Sequence, residues 1–135
     1  MKKDIPFIPV QGISIAIVKE TTDISETFWN VYLLNKNDFG INNILISSKG
    51  YGTTSKGADQ QTSILRHHIS SLGPGEHILV EPIDPGIFHL NNEYWVSYFV
   101  NGQIYDKKFI FVPDSILEKN LIHIPELNMP GILHN

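Results

Sequence analysis

The chain has 135 residues, 41% of them hydrophobic and only 18% charged, which is the composition of one globular domain able to bury roughly two thirds of its unfolded surface. A net charge of −4 with a single arginine, Arg66, leaves no basic stripe of the kind that grips DNA or RNA. The absence of cysteine excludes disulfides, thiolate metal sites and thiol catalysis.

The N-terminal stretch MKKDIPFIPVQGISIAIVKE carries two lysines, as a secretory leader would, but Asp4, Pro6, Pro9 and Gln11-Gly12 interrupt its apolar run. With no segment near the roughly 18 apolar residues that span a bilayer, the expectation is a cytoplasmic protein without a membrane anchor. Ile13, Ile15 and Ile17 then alternate with Ser14, Ala16 and Val18, the period-two pattern of a first strand. Phe28–Asn35 alternates in the same way, and the turn-forming KNDFG ends it. A third strand is expected over Asn43–Lys49, a fourth over Thr62–Ile69 and a fifth over His77–Ile83, with Gly73-Pro74-Gly75 breaking the chain between the last two.

Glu93–Val100 and Gln103–Val112 are separated only by Asn101-Gly102, a two-residue hairpin signal, because a type I′ turn needs positive φ at both positions. That turn sets a register in which Tyr94, Val96, Tyr98, Tyr105 and Phe109 share one face, the expected core face. The other face carries Trp95, Phe99, Ile104 and Lys108, with Ser97 and Asp106. It is expected either to be covered by the C-terminal tail or to serve as an interaction surface, since tryptophan and phenylalanine rimmed by charge suit a binding hot spot.

Pro113–Asn120 has the pattern of a short helix capped by Asp114 or Ser115. The tail after Asn120 is too apolar for water, and Pro125 and Pro130 keep it from being helical, so it is expected to lie extended along the domain or a second copy. Seven short strands without helical crossovers predict an all-β fold, an antiparallel immunoglobulin-like β-sandwich over residues 1–112, with a short helix and extended tail over residues 113–135 packed on it. A barrel is the structural alternative.

The Ser47–Ser63 stretch, SSKGYGTTSKGADQQTS, tests the nucleotide reading. Gly52 and Gly57 have the spacing of a phosphate-binding loop, but Ala58-Asp59 stand where the lysine and the magnesium-binding hydroxyl belong. The stretch therefore reads as a mobile connection between strands. The six histidines show no H-x-x-x-H spacing, and His67 and His68 point to opposite faces of a strand, so neither a metal nor a cofactor is expected. No G-x-S-x-G elbow marks a nucleophile, and the carboxylates at Asp84, Glu93 and Asp106 form no recognisable pair.

Taken together, DIPFIPVQGISIAIVKE, SKGYG, TSILRHHI, LNNEYWVSYFV and YDKKFIFVP resemble a family of small proteins from Bacteroidetes-type bacteria, over nearly the whole chain. Members of such families sometimes carry the label of phenylalanyl-tRNA synthetase alpha subunit. That activity needs a far larger catalytic domain with an ATP-binding arginine, so the resemblance transfers no catalytic residue to this chain.

The expected function is a non-catalytic binding or accessory module with a protein partner or a second copy as ligand. The alternative is a small-ligand site or an enzyme of unrecognised type, built where the Gly50–Gln61 and Asp84–Glu93 loops converge at one end of the fold.

Overall fold

The alternating runs pair as antiparallel strands. In the computed structural model, which describes residues 9–135, β1 (Ile13–Thr21) and β2 (Thr27–Asn35) form an uninterrupted hairpin from Ile13 opposite Asn35 to Thr21 opposite Thr27. The lysines, Asp4 and Pro6 of the leader argument lie outside the described residues. There follow β3 (Ile41–Thr53), β4 (Asp59–Gln61), β5 (Leu65–Leu72), β6 (His77–Pro82), β7 (Asn91–Val100), β8 (Gln103–Phe111), β9 (Ile122–Ile124) and β10 (Met129–His134). One sheet, here sheet A, has the order β6-β2-β1-β10-β9. In sheet B, of order β4-β3-β7-β8, β5 also pairs with β3, so that β4 and β5 follow one another along the same flank of β3.

Residues from both sheets meet in one core. Ile13, Ile15 and Ile17 of β1 and Val31 and Leu33 of β2 pack with Ile41, Ile44 and Ile46 of β3, Tyr94, Val96 and Tyr98 of β7, and Phe109 and Phe111 of β8. Fully burying each large aliphatic side chain contributes roughly 1.5–3 kcal/mol before the entropy of ordering is set against it. The hairpin register agrees with the expectation from Asn101-Gly102: Val100 opposes Gln103, Tyr98 opposes Tyr105, and Tyr94 opposes Phe109. Asn101 and Gly102 have φ of 49° and 77°, as a type I′ turn requires.

The segment after Val112 departs from expectation at its helix. No helix forms over Pro113–Asn120; only a single 3₁₀ turn, Glu118–Asn120, is helical. Asp114 has a φ of 62°, which reverses the chain before a helix can nucleate, and Ile116 is instead buried in the core. The tail, in turn, supplies two strands. β10 pairs with β1 from Ile15 opposite His134 to Val18 opposite Gly131, and β9 pairs with β10.

Residues 122–134 thereby extend sheet A beyond β1 and cover the middle of its outer face, while Phe28, Leu79 and Ile122 on that face stay exposed. Ala16, Val18 and Leu34, which point away from the main core, are buried under Ile124 and Leu127. Both faces of β1 are thus enclosed, and Ile13 through Val18 are all buried. Gly131 permits the close approach: a β-carbon there would stand 2.8 Å from the Ile17 carbonyl oxygen and from side-chain atoms of Ile124 and Val18.

Candidate functional site

With the tail on sheet A, nothing among the described residues covers the outer face of sheet B. Side chains on this face come in cross-strand rows. One row runs Lys108, Trp95, Ser47, Arg66 across β8, β7, β3 and β5; the next runs Asp106, Ser97, Leu45, His68. Trp95 is 43% exposed, Phe99 37%, Ile104 53% and Leu45 54%, so four large apolar side chains face solvent on this one sheet face. Trp95, Leu45, Ile104, Ser97, Asp106 and Arg66 line a shallow groove of about 310 Å³.

The electrostatics of the groove are mixed, with cations at both ends of one row. Lys108 Nζ lies 4.6 Å from the centre of the Trp95 ring, against the electron-rich face of the indole. Among the described residues neither Lys108 nor Arg66 forms an ion pair. Trp95, Phe99, Ile104 and Lys108 therefore do share one face, as their spacing in the hairpin indicates. Leu45 and Arg66 join them only through the β3 pairings, in which Ser47 opposes both Trp95 and Arg66, and no local pattern in the sequence announces those pairings.

The two loops of the alternative site also come together. His89 Nε2 lies 2.9 Å from Gln60 Oε1, and Asn91 Nδ2 donates to the Tyr51 carbonyl at 3.2 Å. Thr53, Thr54, Ser55, His89, Asn91 and Asp114 rim an open cup of about 660 Å³ at this end of the fold. The glycine-rich stretch itself is mostly strand. β3 runs on through Gly50 and Gly52 to Thr53, and β4 pairs back from Asp59 to Gln61. Between them Thr54–Ala58 is turn, closed by Thr54 N donating to the Ala58 carbonyl at 2.7 Å, and Thr62-Ser63 leads on toward β5. The stretch joins two strands, and it is shorter as a loop than its composition suggests.

A third polar group lies between the sheets. Glu81 of β6, nearly buried, accepts from Ser48 Oγ at 2.9 and 3.1 Å, sits 2.6 Å from His67 Nε2, and receives a long contact of 3.5 Å from the Tyr94 hydroxyl. Burial, reinforced by the Glu81 charge, raises the Tyr94 hydroxyl pKa far above its ordinary value. His67 thus points inward to a carboxylate, while His68, opposite Leu45, points outward. With its oxygens engaged by three side chains, Glu81 ties sheet A to sheet B.

The scattered carboxylates have separate duties. Asp84 caps the short 3₁₀ turn Pro85–Ile87, Glu93 pairs with Lys49 and receives the Tyr51 hydroxyl, and Asp106 lies on the outer face of sheet B. Among the described residues no three His, Asp or Glu side chains gather into a group able to hold a metal. No protein-family model, curated protein or solved structure matches the chain.

Proposed function

We propose that the protein is a non-catalytic accessory module, an immunoglobulin-like sandwich that binds a protein partner through the outer face of sheet B. One observation carries the reading. On sheet B the exposed apolar side chains gather, with Trp95, Leu45 and Ile104 lining one groove and Phe99 opposite Ile104, whereas on sheet A the tail buries Ala16, Val18 and Leu34 and the side chains left exposed, Phe28, Leu79 and Ile122, stand apart on three strands. A cluster of large apolar side chains rimmed by Lys108, Arg66 and Asp106 has the make-up of an interface hot spot with its polar surround. Membership of the Bacteroidetes-type family would assign no residue a role, so the reading rests on this cluster.

The test is affinity capture from the source cell with the wild-type chain and with the double variant Trp95→Ser, Phe99→Ser, the captured proteins being compared by mass spectrometry. A protein held by the wild type and lost by the folded variant supports the reading. A profile that the variant leaves unchanged contradicts it.

A small-ligand site is the second reading, favoured by the convergence of the Thr54–Ala58 turn and the His89–Asn91 segment around the 660 Å³ cup. A metabolite panel screened by thermal shift separates the two. A shift abolished by Asn91→Ala but kept by the Trp95 and Phe99 variant assigns binding to the cup.

A further inference from the structure

The sheet edges suggest how a partner is held. An edge strand offers unpaired backbone groups to any extended segment, and folded proteins blunt such edges with proline, lysine, bulges or shortness. Three of the edges here carry these devices. β9 has three residues and runs into Pro125; β6 ends at Pro82 and pairs with β2 through a register shift; β8 carries Asp106, Lys107 and Lys108, with Lys107 Nζ donating to the Asn135 carbonyl at 2.9 Å. On the remaining flank β4 is only three residues long.

The exception is β5. It is eight residues long, contains neither lysine nor proline, and keeps one unshifted register with β3 from Leu65 opposite Ser48 to Leu72 opposite Ile41. Among the described residues, no backbone hydrogen bond joins Leu65–Ser71 to anything but β3. Arg66, His68, Ser70 and Ser71 are exposed.

Charge selects the occupant. β5 carries Arg66 and two histidines and no carboxylate of its own; among the described residues the one acidic side chain engaged with it, Glu81, lies inward on His67. Pairing β5 with the β5 of a second copy would set two arginines and two outward histidines on one face without an anion beside them. A segment with alternating carboxylates would place them beside Arg66 and His68 on the outer face, in rows that continue through Ser47 to Trp95 and through Leu45 to Ser97.

We propose that β5 is a strand-addition edge, and that the partner inferred above presents an extended, carboxylate-bearing segment that pairs with it. Main-chain hydrogen bonds supply the grip in this mode, and Arg66 supplies the preference for acid. The inference rests on the protein-binding reading of the outer face and specifies the chemistry of its partner.

The probes are two nine-residue synthetic peptides of alternating valine and charged residues, one with glutamate and one with lysine, read by amide hydrogen exchange across Leu65–Ser71. The glutamate peptide is expected to slow exchange there saturably and to bind about tenfold more tightly than the lysine peptide, as one charge-assisted contact implies. Arg66→Glu is expected to reverse the order, and methylating alternate peptide nitrogens to abolish protection. Equal binding of both peptides, protection that survives N-methylation, or no protection at β5 overturns the proposal. Protection that rises with protein concentration alone, together with a doubled mass in light scattering, assigns the edge to a second copy and overturns it equally. If the Trp95 and Phe99 variant loses a captured protein while β5 stays unprotected in that complex, the protein-binding reading stands and the strand-addition proposal falls.

Discussion

Ser48, His67 and Tyr94 all converge on Glu81, but they do not contribute equally. The Ser48 hydroxyl donates at normal distance to a buried carboxylate, so Ser48→Ala should cost about 1–3 kcal/mol in urea unfolding. Tyr94→Phe removes only a contact of 3.5 Å and should cost less than about 1 kcal/mol. The reverse order would mean that the tyrosine is the principal donor. Gly131 offers a steric test, because a β-carbon there meets the Ile17 backbone, which cannot swing aside. Gly131→Ala should destabilise by about 1–3 kcal/mol, a cost readable from the same denaturation curves. Tyr98 gives a pH signature: burial, and then the neighbouring Tyr105, push its hydroxyl up to about 12 from the ordinary 10.0. The folded state therefore prefers the neutral phenol. Its stabilising effect is whole below pH 10 and is lost as pH rises toward 12, so urea midpoints should fall across that window and fall less in Tyr98→Phe.

Elements differ in how far their own residues disclose them. The β7–β8 hairpin was legible because Asn101-Gly102 sets its register locally, and the register in turn sets both faces. The Pro113–Asn120 segment misleads because Asp114 and Ser115 are good helix caps and equally good turn residues. Here the left-handed Asp114 and the burial of Ile116 decide for the turn. In the tail, the apolar residues announced docking, but not where. Its partner β1 lies more than a hundred positions away, and no local pattern encodes that pairing. Deleting the residues after Asn120 would remove β9 and β10 and uncover Ala16, Val18 and Leu34 together with the edge of β1. The loss should be on the order of 5 kcal/mol, enough to leave the chain aggregated or unfolded by circular dichroism and light scattering. Replacing Ser55–Gly57 with a glycine-serine linker, by contrast, touches only the tip of the β3–β4 turn and should move stability by less than about 0.5 kcal/mol.

Across the molecule, the two sheets share one core; the tail buries the middle of sheet A's outer face, and the exposed apolar side chains of sheet B gather around one groove. Most of the candidate face was readable from the hairpin alone: Trp95, Phe99, Ile104 and Lys108 follow from strand alternation. Leu45 and Arg66 were not, because they reach the face through long-range pairing with β3. The outer face of sheet B serves binding and contributes little to folding, and the double variant Trp95→Ser, Phe99→Ser measures both at once. Its urea midpoint should lie close to that of the wild type, since neither side chain belongs to the core, and the captured partner should be lost. An unfolded variant would show that these side chains are core, and a folded variant that still holds its partner would show that binding lies elsewhere.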